Sequence, residues 1–367
     1  MILGLFLAKK TYLRLSKGKI PPGIHLLAEE AVKECITLVA LNTCSVDWWE
    51  KSVNGLYYIE KDNAWKPGTF SFPDVVYDRA ALNNNQQQRA KLIRNRFKDI
   101  YNIPYINNRN SFGKWITYKT LMAYPEIRKY LPETYLYNHS CYLAMLLEKN
   151  QFAYIKASDD SMGKNIFKVQ QTYPNVVVVY YREKGRNRSD TLTMEGLYGR
   201  LIQGKLKKKI VIIQQGINLA CLNNNPFDIR LLVQKNHLGS WEIADKSVRL
   251  APPGSIVTNV SSGAMVEKFE KVLPQVFPEK YTTLSQDMDQ LALTVCSKLE
   301  KNFGNLGELS IDMAVDVDGS LWLIEVNSKP SKISVRRSKD KDLIQRAYSN
   351  PVKYAKYLYE VANNETN

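Results

Sequence analysis

The sequence lacks the residue spacings that mark a disulfide framework or a structural zinc site. Its five cysteines are scattered, odd in number and never arranged as CxxC, and its three histidines lie far apart. These absences argue against a disulfide-stapled fold and a zinc finger, and they predict a reducing compartment. Two phosphate-binding patterns are also missing: residues 163–165 (GKN) do not complete a Walker motif, and no GxGxxG follows an apolar strand.

Long hydrophobic runs are absent as well. Residues 1–8 are apolar, but the segment is too short to span a bilayer and no charged residue precedes it. We therefore expect a buried first strand rather than a signal peptide, no membrane span, and a cytoplasmic protein.

Positive charge is in excess. The 367 residues include 51 Lys and Arg against 36 Asp and Glu, which gives a net charge of +15. Such an excess favours anionic partners such as nucleotides, acidic peptides or nucleic acid. The densest basic run, residues 205–209, directly precedes an apolar strand, and no nucleic-acid-binding motif accompanies it. We interpret this run as a solvated turn and do not expect nucleic acid to be a partner.

The first third of the chain alternates strand and helix patterns. Apolar strands are predicted at 2–8, 36–41 and 74–79, with a helix at 24–35. Strands that alternate with a helix in this way are typical of a small α/β domain with a parallel sheet.

The remaining two thirds mix helices with longer strands, and 367 residues are many for one core. The composition turns polar around 107–114, which predicts a boundary between an N-terminal domain at 1–110 and a second domain at 111–345. A basic helix at 346–367 is predicted to end the chain. The expected fold class is α/β and α+β.

The clearest local signal is an Asp-Gly pair at 318–319 between two alternating apolar runs, which predicts a two-residue hairpin turn. In that register Asp312 lies opposite Glu325, and Ser310 lies opposite Asn327, with all four side chains on one face. The other face is predicted to be core and comprises Leu309, Ile311, Met313, Val315, Trp322, Ile324 and Val326.

Two carboxylates that face each other across a strand pair repel, because their Cβ atoms are only ~5 Å apart. A divalent cation between Asp312 and Glu325 would remove that cost, and Asn327 offers a third hard oxygen ligand. An acidic, solvent-exposed face explains the same pattern. The hairpin alone does not decide between the two.

Other candidate residues are ambiguous one by one. Lys156 ends an apolar strand before a small polar loop that contains Ser161 and Gly163. Backbone N–H groups of such a loop bind phosphate oxygens and a lysine neutralises them, but a plain β-turn is the alternative. Arg230 and Arg249 lie in strand-like runs, where an arginine is either a salt-bridge residue or a fixed cation for phosphoryl transfer.

Taken together, the order and spacing of these segments resemble the ATP-grasp superfamily. The spacing D-x12-E-x-N at 312–327, the segment IKASDDSMGKNI and the segment VIIQQGI are similar to its metal end, phosphate loop and adenine hinge. The match is closer still to the YheC/YheD-type endospore-coat-associated ATP-grasp family, because FPDVVYDR, GKW and LPET recur there in the same order. The resemblance covers residues 23–344. It implies an ATP-grasp fold with an N-terminal pre-ATP-grasp domain and a lid subdomain at about 140–217.

The resemblance also implies roles for single residues. It implies ATP contacts from Lys114, Lys156, Ser161, Gly163, Gln214, Gln215, Gly216, Ile217, Asp228 and Asn259. It implies catalytic roles toward the γ-phosphate and an acyl-phosphate for Arg230 and Arg249, and Mg²⁺ ligation by Asp312, Glu325 and Asn327. Lys119 is a rival to Lys114, because the segment before LPET is longer than in related ligases. Ala157 stands where the family has Pro, and Gln215 where many members have Glu.

FDIRLLV, SVRLAPPGS, TNVSSGA and IEVNSKP resemble the carboxylate–amine ligase branch. The implied activity is therefore ligation with ATP and Mg²⁺, in which a carboxylate substrate becomes an acyl-phosphate and an amine co-substrate converts it to an amide. The basic composition suits an acidic substrate such as a glutamate-rich peptide. A catalytically weak, nucleotide-binding scaffold of the spore coat is the alternative, and the family resemblance implies a spore association. Neither substrate nor the oligomeric state follows from the sequence.

Overall fold

A computed structural model describes residues 1–82, 84–160 and 163–364, whose strands form three six-stranded sheets. The N-terminal sheet comprises β1 (Ile2–Phe6), β2 (Thr37–Leu41), β3 (Val46–Asp47), β4 (Ser52–Ile59), β5 (Ala64–Ser71) and β6 (Val75–Asp78). The second sheet, which we call the lid, comprises β7 (Thr134–Leu136), β8 (Ala153–Ala157), β9 (Ile166–Tyr173), β10 (Val176–Glu183), β11 (Arg186–Thr193) and β12 (Val211–Gln215). The central sheet comprises β13 (Cys221–Leu222), β14 (Asn225–Lys235), β15 (Trp241–Leu250), β16 (Met265–Lys268), β17 (Glu308–Val315) and β18 (Leu321–Asn327).

The helices connect and cover these sheets. In chain order they are α1 (Lys9–Leu15), α2 (Pro22–Lys33), α3 (Asn84–Asn95), α4 (Lys114–Met122), α5 (Pro125–Arg128), α6 (Cys141–Lys149), α7 (Met194–Tyr198), α8 (Phe269–Val276), α9 (Tyr281–Phe303), α10 (Ile333–Arg337) and α11 (Lys341–Asn364). This mixture confirms the predicted α/β and α+β class. Within the described residues, no helix combines the length and the apolar composition that crossing a bilayer requires.

The N-terminal sheet has the parallel centre that the alternating pattern predicted. Its strand order is β3-β4-β2-β1-β6, and β1 pairs in parallel with both β2 and β6. Leu3 and Leu5 on β1 face α2 and α11, whereas Phe6 packs with Phe97 on the opposite side. A strand that is covered on both faces reads as a continuous apolar run, which explains its sequence.

The lid and the central sheet are antiparallel. The lid has the order β11-β10-β9-β8-β12-β7, and the central sheet has the order β16-β15-β14-β17-β18, with β13 paired to β14. One face of the central sheet is closed by α9, whose Leu291, Val295 and Leu299 follow the four-residue spacing of a helical stripe and are buried. The opposite face is left for the lid and the N-terminal sheet.

The β17–β18 hairpin corrects two details of the prediction. Its turn is one residue longer than predicted, since the Asp316 N–H donates to the Ser320 carbonyl at 3.0 Å. A bulge beside Asp312 then shifts the register back by one residue, so Asp312 still pairs with Glu325. The longer turn and the bulge cancel each other at the acidic end of the hairpin.

The longer turn also changes which residues form the core between the turn and the bulge. Leu321 and Leu323 are buried against α9, rather than the predicted Trp322 and Ile324. Trp322 is only half-buried, and its indole N–H donates to Asp316 at 2.8 Å. The assignment of Trp322 and Ile324 to the core face was therefore wrong, because the two-residue turn on which it rested does not form.

The three sheets take their strands from consecutive parts of the chain, which can be compared with the predicted domain boundaries. The three sheets use residues 2–78, 134–215 and 221–327 in turn, and the last long helix, α11, begins at Lys341. The boundaries at 110, 140–217 and 345 stay predictions.

Candidate active site

One face of the central sheet carries a row of charged side chains. Arg230 on β14 pairs with Asp312 on β17, which pairs in turn with Glu325 on β18. Two residues along β14, Asp228 pairs with Arg249 on β15. Because residues two apart on a strand share a face, these side chains form one contiguous charged surface.

Two arginines hold the Asp312 carboxylate. Arg230 donates from Nε to Oδ1 and from Nη2 to Oδ2, each at 2.8 Å, and Nη2 of Arg249 lies 3.1 Å from Oδ2. Burial raises the pKa of an aspartate, but the two guanidinium groups outweigh this effect and lower the pKa of Asp312 to about 2. Asp312 is therefore a carboxylate throughout the neutral range.

Arg249 is fixed by Asp228. Its Nε donates to Oδ1 of Asp228 at 2.7 Å and its Nη2 donates to Oδ2, which also accepts from the Thr258 hydroxyl. Only 2% of Arg249 is exposed, so its guanidinium is a rigid part of the wall. The roles of Arg230 and Arg249 toward phosphates stay predictions; in the structure both bind acidic side chains.

Two lysines approach the same acids from the other side. Nζ of Lys114, at the start of α4, lies 3.3 Å from Oε1 of Glu325. Lys156 on β8 donates to Oε1 of Gln214 at 2.6 Å, and Gln214 donates to the Thr134 hydroxyl at 3.0 Å. Burial lowers the pKa of Lys156 to about 8, with Glu325 opposing the shift and Lys114 adding to it. A bound anion would stabilise such a lysine pair.

Lys119, the rival of Lys114, is exposed on α4. Lys114 is instead tied to the loop after β8, because its N–H donates to the Ser158 carbonyl at 3.0 Å and its Nζ donates to the Asp160 carbonyl. The structure therefore brings Lys114 to the loop and to Glu325.

Gly163, which follows β8, lies next to Asn259 in the segment between β15 and β16. Ser161, one of the predicted phosphate ligands, lies outside the described residues. Gly163 has a φ of +72°, which favours glycine, and a Cβ there would lie 3.2 Å from Nδ2 of Asn259. The structure thus brings Gly163 and Asn259, both predicted ATP contacts, to one place.

A cavity of about 240 Å³ lies between the lid and the central sheet, and we call it the lid cavity. Its lid side includes Tyr154, Lys156 and Lys168, and its opposite side includes Asp228 and Asp312. A mixed wall of aromatic rings, lysines and a few fixed polar groups is typical of a site for a small ligand.

The predicted hinge residues lie at one end of the lid cavity. Gln214, Gln215 and Ile217 line it. The Gly216 N–H already donates to the Phe152 carbonyl at 3.0 Å, and a Cβ at Gly216 would lie 2.3 Å from Phe152. Any backbone contact from Gly216 to a ligand would therefore have to come from its carbonyl group.

A second cavity, of about 640 Å³, lies between the N-terminal sheet, the central sheet and α10, and we call it the interdomain cavity. The two cavities have four lining residues in common: Arg249, Asn259, Asp312 and Glu325. The row of charges on the central sheet is therefore the place where the two cavities meet.

The residues predicted to bind Mg²⁺ fit that ion by their chemistry. Asp312 lies beside Glu325 and Asn327 beside Ser310, all on the interdomain cavity wall. Among the described residues no group of three or more His, Cys, Asp or Glu forms a metal site, and the candidate set joins two carboxylates with an amide. Mg²⁺ in nucleotide sites is commonly held by one or two carboxylates together with phosphates and water. The buried hydroxyl of Ser310 has no hydrogen-bond partner in the described part of the chain.

Sequence reasoning missed several lining residues. Tyr154 and Lys168 are partners across the β8–β9 pair and line the lid cavity. Tyr154 precedes Lys156 by two residues, so strand periodicity alone would have placed both on one face. Ser310 was placed on the acidic face but not assigned a role, and Arg336, on the interdomain cavity wall, had no sequence signal.

Comparison with known proteins identifies relatives for most of the chain. The family model described as YheC/D-like ATP-grasp matches residues 102–358. Endospore coat-associated protein YheD of Bacillus subtilis (strain 168) is 26% identical over 321 residues, which are 86% of this chain and 69% of YheD. Endospore coat-associated protein YheC of the same organism is 24% identical over 308 residues, 84% of each chain.

A solved structure shares the fold. The D-alanine-D-alanine ligase from Coxiella burnetii superimposes with a TM-score of 0.55, covering 100% of this chain and 99% of that chain. The sequence identity is 10%, so this likeness concerns the fold alone.

Proposed function

Since the chain belongs to the YheC/D-like ATP-grasp family, we propose that it is an ATP-dependent carboxylate–amine ligase that forms an amide bond through an acyl-phosphate. The family and the ATP-grasp fold that the sequence motifs predicted are confirmed. The reaction, the substrates and the use of Mg²⁺ belong to the proposal.

The observation that carries the proposal is the junction of the two cavities at Arg249, Asn259, Asp312 and Glu325. A ligase of this kind has to present one phosphate group to a carboxylate while adenine and the rest of the substrate stay apart. Two cavities that meet at a row of fixed charges provide that arrangement.

In this proposal, different residues around the lid cavity bind different parts of ATP. Gln214, Gln215 and Ile217 would contact the adenine end. Lys114 and Lys156 would bind the phosphates, since their mutual repulsion is relieved by an anion. Gly163 and Asn259 would close over the phosphates from the loop side.

Asp312, Glu325 and Asn327 would hold Mg²⁺, which supplies positive charge against the ATP phosphates when it is bound. Arg230 and Arg249 keep the Asp312 carboxylate ionised and oriented. This preorganised charge, rather than covalent chemistry by a side chain, is what the protein contributes to phosphoryl transfer.

Two bond exchanges complete the proposed reaction. A carboxylate oxygen of the first substrate attacks the γ-phosphorus; the bond to the β–γ bridging oxygen breaks, and ADP leaves. The nitrogen of an uncharged amine then attacks the acyl carbon, the bond to the phosphate oxygen breaks, and the products are an amide, inorganic phosphate and one released proton.

Mass spectrometry of reaction products tests the proposal. The full chain is incubated with ATP, Mg²⁺ and a panel of carboxylates, including glutamate-rich peptides, together with a panel of amines. We expect ADP and phosphate to appear in step with a product whose mass equals the acid plus the amine minus water. ADP formation that no acid or amine stimulates would contradict ligation.

The names of the Bacillus relatives favour a second candidate function, a nucleotide-binding protein of the endospore coat with little catalysis. Such a protein would show thermal stabilisation by ATP and Mg²⁺ but form no amide with any member of the panel. In either case we propose an association with the spore, and the cytoplasmic location stays a prediction.

A matched pair of lysines on α4 tests the binding of phosphate. We expect Lys114→Ala to weaken ADP binding by about 10- to 100-fold, the range that corresponds to a hydrogen bond to a charged group. Lys119→Ala removes the same charge from the exposed face and should leave the affinity unchanged. Isothermal titration calorimetry with ADP measures both; an equal loss for the two variants would mean that general charge, not position, governs binding.

A further inference from the structure

The interdomain cavity is larger than the reacting groups alone require. Its volume of about 640 Å³ lies within the range of roughly 300–1,000 Å³ that small-molecule sites span. Leu5, Leu7 and Leu27 give it an apolar wall beside the N-terminal sheet. The cavity thus has room for a substrate body that extends away from Glu325.

Six cationic side chains line this cavity, and five of them form salt bridges with neighbouring carboxylates. The pairs are Arg79 with Glu308, Arg230 with Asp312, Arg249 with Asp228, Lys329 with Asp78, and Lys332 with Glu308. A cation in a salt bridge is less available to a ligand than an unpaired one, because the ligand has to compete with the carboxylate partner.

Arg336 on α10 is the exception. Within the described residues its guanidinium has no carboxylate partner, and it lies beside the hydroxyl of Tyr348. Tyr348 is only 5% exposed and also lines the cavity, so it holds the guanidinium against the wall. An oriented arginine without a counter-ion, in a cavity, is suited to a carboxylate or phosphate group.

Gly23 allows the Arg336 guanidinium and the Tyr348 hydroxyl to pack against the backbone of α2. A Cβ at Gly23 would lie 2.9 Å from Nη1 of Arg336 and 2.8 Å from the Tyr348 hydroxyl. Gly23 lies in the first turn of α2 and also lines the cavity. The missing side chain therefore fixes where Arg336, which has no carboxylate partner among the described residues, meets the cavity, and a larger residue at position 23 would displace its guanidinium.

We propose that one of the two substrates carries a second anionic group, a carboxylate by its chemistry, and that Arg336 binds it at the Gly23 end of the interdomain cavity. This inference rests on the proposed ligase function and adds a substrate class to it. The anionic group belongs either to a dicarboxylic acyl substrate or to an amino acid that acts as the amine.

Binding without nucleotide tests the inference separately from catalysis. The full chain is titrated calorimetrically with glutarate against valerate, and with L-alanine against L-alaninamide; each pair differs by one negative charge. We expect the wild-type chain to prefer the more anionic member of one pair by on the order of tenfold or more, as for a hydrogen bond to a charged group. The pair that shows the preference identifies whether the acyl substrate or the amine carries the group.

Two variants and a control locate the effect. Arg336→Gln should abolish the preference, and Gly23→Ala should reduce it while every charge stays in place. Arg337→Gln, the exposed neighbour, should retain it. Equal binding within both pairs by the wild-type chain, or a preference that survives Arg336→Gln, would overturn the proposal. If the wild-type chain shows the preference but forms no ADP in the product assay, the result supports the Arg336 site and contradicts the ligase function.

Discussion

Glu325→Gln is expected to lower the rate of substrate-stimulated ADP formation by roughly 10²- to 10³-fold, the loss that follows removal of one preorganised electrostatic group from a reaction centre. The substitution keeps the size of the side chain and removes its charge. Glu325 faces Asp312 across the hairpin, and Asp312 remains an ionised carboxylate held by two arginines. Only one of the two proposed carboxylate ligands of Mg²⁺ is lost.

The binding of free nucleotide should respond in the opposite way. Glu325 lies 3.3 Å from Lys114 and raises the pKa of Lys156, so it competes with phosphate for both lysines. Without Mg²⁺, we therefore expect Glu325→Gln to bind ADP at least as tightly as the wild-type chain. The loss of activity together with retained ADP binding distinguishes a metal ligand from a residue that organises the phosphate lysines.

Asp318→Asn is the matched control for this experiment, because it removes a carboxylate from the exposed turn of the same hairpin. Its ADP formation and its ADP affinity should equal those of the wild-type chain. If Glu325→Gln kept its turnover, the assignment of Glu325 to Mg²⁺ would be wrong.

The β17–β18 hairpin also shows which features could be predicted from the sequence and which could not. Alternation and the Asp-Gly pair were sufficient to predict that Asp312 faces Glu325, which the strand register confirms. The turn length and the core positions Trp322 and Ile324 were wrong, because the alternation shows neither the longer turn nor the bulge that compensates for it. The correct pairing at the acidic end thus arose from two deviations that compensate.

Sequence patterns did not predict contacts between segments that are far apart in the chain. The position of Lys114 next to Glu325 depends on how α4 and β18 pack, across a separation of 211 residues. Family resemblance named Lys114 and left Lys119 as a rival; in the structure Lys114 lies next to Glu325, whereas Lys119 is exposed. Arg336 could not be found from its own segment, since its cavity also takes lining residues from α2 and α11, near opposite ends of the chain.

The N-terminal unit and the central sheet meet at Glu308, which is 1% exposed and accepts four hydrogen bonds or ion pairs. The donors are Tyr77 at 2.7 Å, Arg79 at 3.0 Å, Gln234 at 2.6 Å and Lys332 at 2.5 Å. Tyr77 belongs to β6 and Gln234 to β14, so this one carboxylate joins two sheets. The wall of the interdomain cavity depends on the same contacts, because Tyr77, Arg79 and Lys332 line it.

We expect Glu308→Gln to lower the free energy of unfolding by about 3–5 kcal/mol, the cost of removing one partner from a buried ion pair. The variant leaves Lys332 buried without its counter-ion. Chemical denaturation monitored by tryptophan fluorescence measures the loss. Glu267→Gln is the control, since the Glu267–Lys271 pair is largely exposed and should contribute less than about 1 kcal/mol.

A double-mutant cycle separates the ion pair from simple loss of packing. Because Lys332→Met removes the charge that Glu308→Gln leaves stranded, the double variant should be less destabilised than the sum of the two single variants. Additive effects would mean that Glu308 acts through Arg79 and Tyr77 alone.

The pH dependence gives an independent check on Glu308. Burial raises its pKa, but the charges of Lys332 and Arg79 outweigh burial and hold the pKa of Glu308 below its ordinary value. A carboxyl group whose pKa is lowered by folding stabilises the protein above its unfolded pKa, and this stability is lost as the pH falls through the folded pKa. The difference in unfolding free energy between the wild-type chain and Glu308→Gln should therefore be full at pH 7 and should shrink below about pH 4, near the unfolded glutamate value. A difference that stayed constant into acid would show that the carboxylate charge is not what joins the two sheets.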